Sequence, residues 1–328
     1  MTDLQSKKPF LLITIDTEGD DLWSHPKNIT TKNVNYLPRF QTLCEYYGFK
    51  PTYLANYEMA CSPAFKEFGL NLISNNAGEI GMHLHAWNNP PLFQLTKDDY
   101  HYQPYLIEYP SNIIYDKIKI ITDLLEEMFN QKMTSHRSGR WAFNDIYAKY
   151  LIDNGYKVDC SVTPLRSWKK TLGNPEGEGG VDYSEYPNKP YWINDFEDDN
   201  EHSLLEIPLT IISQNNFINY LINNSRLPPK WIIRSLRKHI KPVWLRPNGD
   251  NLDKMKAIID YKHNIKSDYV MFVLHSSELM PGGSPIFKTE RDIENLYYDL
   301  NELFSYSKNY FNGGTLSDYY SYYVNKRT

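Results

Sequence analysis

Phe10-Leu-Leu-Ile-Thr-Ile15 runs directly into Asp16 and Glu18, and Glu79-Ile-Gly-Met-His-Leu-His85 ends on two histidines. Both read as short buried strands whose chemistry-bearing residues stand at the C-terminal end. Working outward, helical patterns alternate with further strands. Residues 36–48 read as a helix, 51–55 as a strand and 62–75 as a second helix. Beyond Pro110, the spacing of Ile114, Ile118, Ile121, Leu125 and Met128 predicts a long helix, with Ser111 as its N-cap. A strand near 134–138, a helix at 144–155 and a strand at 157–162 follow. Strands at 204–212 and 269–274, the latter ending at His275, and a closing helix at 289–306 complete the pattern. Such alternation predicts an α/β fold in one domain spanning 1–328. Residues 171–202 interrupt it with Gly, Pro and acids, and read as a long irregular excursion.

Composition narrows the function. The 328 residues are 41% hydrophobic, enough for a sizeable core. Aromatic residues reach 15%, with 27 Tyr, and such rings can stack on sugars. A net charge of −5 carries no basic surplus, so no nucleic-acid partner is expected. No stretch approaches the roughly 18–20 apolar residues of a membrane span, and residues 1–10 lack a signal-peptide core. Cys44, Cys61 and Cys160 are odd in number and widely spaced, which fits a reduced, cytoplasmic compartment. Residues 226–246 hold Arg226, Lys230, Arg234, Arg237, Lys238, Lys241 and Arg246 and no acid, interleaved with Trp231, Ile232, Ile233 and Leu236. This reads as an amphipathic helix able to make peripheral contact with a membrane or a phosphorylated lipid.

The polar residues gather at strand ends. Residues i and i+2 of a strand point the same way, so His83 and His85 can aim two imidazoles at one point. Glu18 completes a two-histidine, one-carboxylate set that leaves positions open on Zn²⁺ or a similar ion. Asp16 is available as a general base and His275 as a general acid. Asp159 is expected to orient His275, and Arg137 to do the same for Asp16.

The order of these motifs resembles the polysaccharide deacetylase family, the NodB-homology or carbohydrate esterase family four. Within it, the chain looks like the WalW-like subgroup of surface-glycan and lipopolysaccharide clusters. The resemblance covers about residues 10–320. Thr14-Ile-Asp-Thr-Glu-Gly-Asp20 matches the first motif, with Asp16 as base; Thr17 replaces the usual second Asp, leaving Glu18 as ligand. The second motif normally holds two histidines four apart. Here His83 matches the first and Trp87 stands at the second place, so His85 substitutes or the site has a single His. In His136-Arg-Ser-Gly-Arg-Trp141, Arg137 matches the arginine that pairs with the base. Trp87, Asn88, Arg140 and Trp141 are the expected substrate contacts. Asp159-Cys-Ser161 keeps the fourth motif's acid without the Trp that walls the acyl pocket, and Val273-Leu-His275 supplies the acid.

The resemblance implies an incomplete or distorted (β/α) barrel of about seven strands. It implies a divalent metal, zinc first, and a carbohydrate substrate, nucleotide- or lipid-linked. The reaction it implies is removal of an N-acetyl group during surface-polysaccharide or lipopolysaccharide synthesis. Deacylation of a formamide or an O-acetyl ester is the alternative the missing Trp allows. A non-catalytic glycan-binding relative is the third reading.

Overall fold

The strands alternate their side chains between two apolar environments. In β1 (Phe10–Thr17), Leu11, Ile13 and Ile15 join the cluster that includes the helices, while Leu12 joins a second, smaller cluster. In β10 (Tyr269–His275), Val270, Phe272 and Leu274 face the helices, and Tyr269, Met271 and Val273 face the second cluster. Burial on both faces is what parallel strands under helices require. The second cluster is the inside of a curled sheet.

The computed structural model describes residues 8–194, 203–215, 219 and 241–326. Strands β2 (Thr52–Ala55), β3 (Glu79–Leu84), β4 (Ser135–Ser138), β5 (Val158–Asp159) and β7 (Ser203–Glu206) follow β1 around the sheet, and β10 flanks β1 on its other side. The path β10-β1-β2-β3-β4-β5-β7 is parallel throughout, seven strands as expected. β6 (Tyr191–Asn194) pairs antiparallel with β7, and β11 (Asn312–Gly314) pairs with the start of β1. The sheet forms an open, distorted half-barrel.

The seam between β7 and β10 is closed by irregular backbone. The expected strand 204–212 divides at Pro208, which cannot donate to a ladder. Its second part, β8 (Ile211–Ser213), pairs instead with β9 (Pro242–Trp244). Thr210 Oγ1 accepts from Met271 N at 2.8 Å, and Leu245 O accepts from Val273 N at 3.2 Å.

The helix Ser111–Phe129 buries Ile114, Ile118, Ile121 and Leu125 of the predicted stripe and leaves its fifth member, Met128, partly buried. Its N-cap is Pro110, not Ser111, whose hydroxyl bonds Tyr150 OH at 2.6 Å. The helix Glu290–Ser307 is capped by Thr289 through a capping box. The helices Leu252–Asn264 and Leu316–Asn325 were not expected. In the first, only Met255, Ile258, Ile259 and Lys262 are buried, a stripe too thin to stand out among charged residues.

Residues 171–194 of the excursion pack on the rim, adding β6 and a Ser167–Asp182 bridge. The expected amphipathic helix at 226–246 lies outside the described residues except for 241–246, which begin with a strand. No described helix is long and apolar enough to cross a membrane.

Gly81 on β3 shows how tightly the inner face is drawn together. A Cβ there would meet Ser135 O at 2.6 Å and Leu54 Cδ2 at 2.8 Å. We predict that Gly81→Ala destabilises the protein by about 1–3 kcal/mol, the cost of overpacking. A lower urea midpoint at unchanged m-value is the expected readout.

Candidate active site

Strand register brings the polar residues to one end of the half-barrel. Asp16 is the partner of His275 across β1 and β10, and His83 is the partner of Arg137 across β3 and β4. Glu18, His83 and His85 converge from β1 and β3. His83 Nε2 lies 3.1 Å from His85 Nε2 and 3.4 Å from Glu18 Oε2, and His85 Nε2 lies 2.8 Å from the same oxygen. All three are buried.

A cation held between these two ring nitrogens and the carboxylate would satisfy all three lone pairs at once. Four ligands around Zn²⁺ at ordinary bond lengths stand about 3.3 Å apart, so these spacings fit a zinc-sized ion. His83 Nδ1 donates to Arg137 O at 3.0 Å, which turns the Nε2 lone pair toward the group. His85 Nδ1 is buried without a partner; its ring is held by packing against Trp87, at 4.4 Å, and Gly139. Burial opposes ionisation of Glu18, but His275 and the bonds from His83 and His85 hold its carboxyl well below the usual range. Burial pulls His85 down, whereas for His83 the charges of Asp16 and Glu18 overcome burial and raise it.

Asp16 stands beside this group. Arg137 Nη1 donates to its Oδ1 at 2.6 Å, with Arg137 fully buried and Asp16 1% exposed. Burial favours the neutral acid, yet Arg137, aided by His83 and His275, lowers the pKa of Asp16. Oδ2 remains for the cavity, 3.7 Å from His275 Nε2. His275 Nε2 also lies 3.8 Å from Glu18 Oε1.

The carboxylate behind His275 is Glu278, not Asp159. Glu278 Oε2 accepts from the His275 backbone N at 2.8 Å and lies 3.1 Å from Nδ1. Arg246 Nη2 bonds Glu278 Oε1 at 2.9 Å and approaches His275 Nδ1 at 3.0 Å. Nδ1 cannot donate to the acid and accept from the guanidinium at once. Arg246 already has a carboxylate, so we assign the Nδ1 proton to Glu278. Burial raises the Glu278 carboxyl, but Arg246 and His275 bring it down to about 2.

Asp159 lies on the outer face. Its Oδ1 is 2.6 Å from His136 Nδ1, and Ser161 N donates to Oδ2 at 3.0 Å. His136 Nε2 meets Tyr147 OH at 2.7 Å. Burial and the neighbouring Asp159 push the Glu206 carboxyl well above the usual range beside this pair. Asn88 is likewise turned away and donates to Glu58. Arg140 reaches the cavity, but its donors tie the rim together. Nη1 bonds the carbonyls of Tyr102 and Gln103, Nη2 bonds Leu172 O at 3.0 Å, and the guanidinium covers Tyr105 at 4.3 Å. Trp87 and Trp141 line the cavity, a cleft of about 320 Å³ that also meets Trp23, Trp168 and Thr171. Glu278 was given no role by the sequence reading, and Arg246 was read only as part of the basic 226–246 segment, whereas it meets Glu278 and His275.

No protein-family model matches the chain, and no curated protein matches it. Solved structures share the fold. A Mycobacterium smegmatis protein classed as a polysaccharide deacetylase superposes with a TM-score of 0.52 at 13% identity, over 99% of this chain and 94% of its own. A branching enzyme from Thermococcus kodakaraensis gives 0.53 at 10% identity, over 96% of this chain and 71% of its own. A 4-α-glucanotransferase from Thermococcus litoralis gives 0.52 at 14% identity; this chain covers 40% of it and is itself covered over 96%. At such identities the likeness establishes the fold alone.

The Glu278 carboxyl gives a signed prediction. Its folded pKa of about 2 lies below the ordinary 4.5, so its contribution is full above pH 4.5 and is lost as pH falls toward 2. Between pH 5 and 3 this amounts to about 2 kcal/mol. Urea titrations across that range should show Glu278→Gln losing less stability than the parent by about that amount.

Proposed function

We propose that this chain is a carbohydrate deacetylase that hydrolyses an N-acetyl group on a sugar. The observation that carries the reading is one cavity holding a three-donor cation group, a carboxylate with one oxygen committed to Arg137, and a histidine backed by Glu278. Glu18, His83 and His85 would hold a divalent cation, zinc first, which supplies Lewis acidity toward the acyl carbonyl and toward water.

The chain's own residues supply the proton transfers. Asp16 Oδ2 takes a proton from the attacking water, while Arg137 fixes Oδ1 and thereby the carboxylate plane. His275 Nε2 gives a proton to the amide nitrogen as the C–N bond breaks, so water and amide become acetate and amine. Glu278 keeps the His275 ring aimed. Trp87 and Trp141 offer apolar surfaces for the sugar and its acyl group. Formamide or O-acetyl ester hydrolysis is the second reading, favoured by Cys160 standing where the resembled motif has Trp. A cytoplasmic location rests on the cysteine usage, and a place in surface-polysaccharide or lipopolysaccharide assembly rests on the resemblance.

Elemental analysis should find about one zinc per chain after loading, lost in Glu18→Ala, His83→Ala and His85→Ala. Acetate release from N-acetyl sugars should fall by about 10²–10⁴ in Asp16→Asn and His275→Ala with the metal retained. A parent protein that takes up no divalent ion, or variants as active as the parent, would overturn the assignment. Faster release from matched O-acetyl or N-formyl sugars would select the second reading.

A further inference from the structure

A second cavity of about 420 Å³ adjoins the first and shares Trp141, Trp168 and Arg246 with it. It adds Arg166, Trp244 and Lys254, and none of the described residues lining it is an Asp or Glu. Trp244 meets Trp141 at 5.8 Å and Trp168 at 6.4 Å, both edge to face. The Arg166 guanidinium lies 5.1 Å from the ring of Trp168 and 5.8 Å from that of Trp244. Its Nε is buried without a hydrogen-bond partner.

A guanidinium packed on indoles satisfies its faces but not its in-plane donors. A buried donor without an acceptor is costly unless a ligand brings one. The complementary ligand is an anion with several acceptor oxygens, which Arg engages in a fork and Lys as a point charge. The cavity opens toward the site where His275 faces Asp16, so a ligand filling both would place its anionic part here and its sugar there.

We propose that this second cavity takes the phosphate or diphosphate of a phosphorylated glycosyl substrate whose acylated sugar occupies the first. The proposal rests on the deacetylase reading for the sugar end only. A nucleoside diphosphate and a lipid-linked diphosphate present the same group, and the indoles add a stacking surface for the base of the former.

Calorimetric titration of the purified chain with inorganic pyrophosphate tests it. Pyrophosphate should bind, and Arg166→Ala and Lys254→Ala should each weaken it by at least about tenfold. Arg166→Lys should recover only part, because the charge returns without the fork. Tighter binding of uridine diphosphate than of pyrophosphate would identify a nucleoside carrier; tighter binding of geranyl diphosphate would identify a lipid carrier. No pyrophosphate binding, equal binding by glucuronate, or unchanged affinity in the exposed Lys254→Ala variant would overturn the proposal. The readout needs no turnover. Pyrophosphate binding without acetate release from any sugar would sink the deacetylase reading and leave the anion site; acetate release without pyrophosphate binding would do the reverse.

Discussion

A single guanidinium crosses the inside of the half-barrel, and much of the site is hung from it. Arg137 is fully buried, so each donor left unmet would carry a full desolvation penalty. The fold meets them from different strands. Nη1 reaches Asp16 on β1, Nη2 reaches Thr14 Oγ1 at 2.8 Å, and Nε reaches Cys160 O at 3.1 Å just beyond β5. Its backbone carbonyl receives His83 Nδ1 from β3. Removing one partner from such a buried pair typically costs about 3–5 kcal/mol. The requirement that stabilises this charge also fixes one oxygen of Asp16 and the direction of His83, which links stability to site geometry.

The neighbouring residue does the same on the other face. His136 points outward to Asp159 and Tyr147, with Glu206 close by. The parity of a strand makes these two networks exclusive: 136 and 159 share one face, 137 and 160 the other. His136 pairs with Asp159 across β4 and β5, so Asp159 cannot also serve the inner site. The acid of the resembled motif is present but braces the sheet from behind. The role of orienting His275 falls to Glu278, which the tight turn after β10 returns to the ring within three residues.

This separates what was legible in the sequence from what was not. Within a strand, period two is enough: His83 and His85 were placed on a common face from spacing alone. Between strands, parity depends on register, which no local pattern encodes, and the pairing of Asp159 was misjudged for that reason. At strand exits the period disappears. Arg140 and Trp141 sit at φ 54° and 63°, so neither side chain follows from its place in the motif. Arg140 consequently ties the rim loops together, and Asn88 turns to Glu58. Arg246 lies 29 residues before His275 in the chain, and only the folded seam brings the two together.

That seam is where the barrel departs from closure, and the departure serves the site. Strand β10 needs acceptors along its free edge, and without an eighth ladder strand it takes them singly, from Thr210 Oγ1 and Leu245 O. Leu245 is thereby anchored to Val273, two residues before His275. The next residue, Arg246, is delivered to the His275 end, where it meets Glu278. On the other side of Leu245, Trp244 is held by β8 and turns toward Trp141 and Trp168. A regular strand would place residues 244 and 246 on one face at a fixed rise. The irregular crossing lets the two belong to adjoining cavities with Arg246 shared between them, so the hydrogen bonds that close an imperfect barrel also set the boundary between its two pockets.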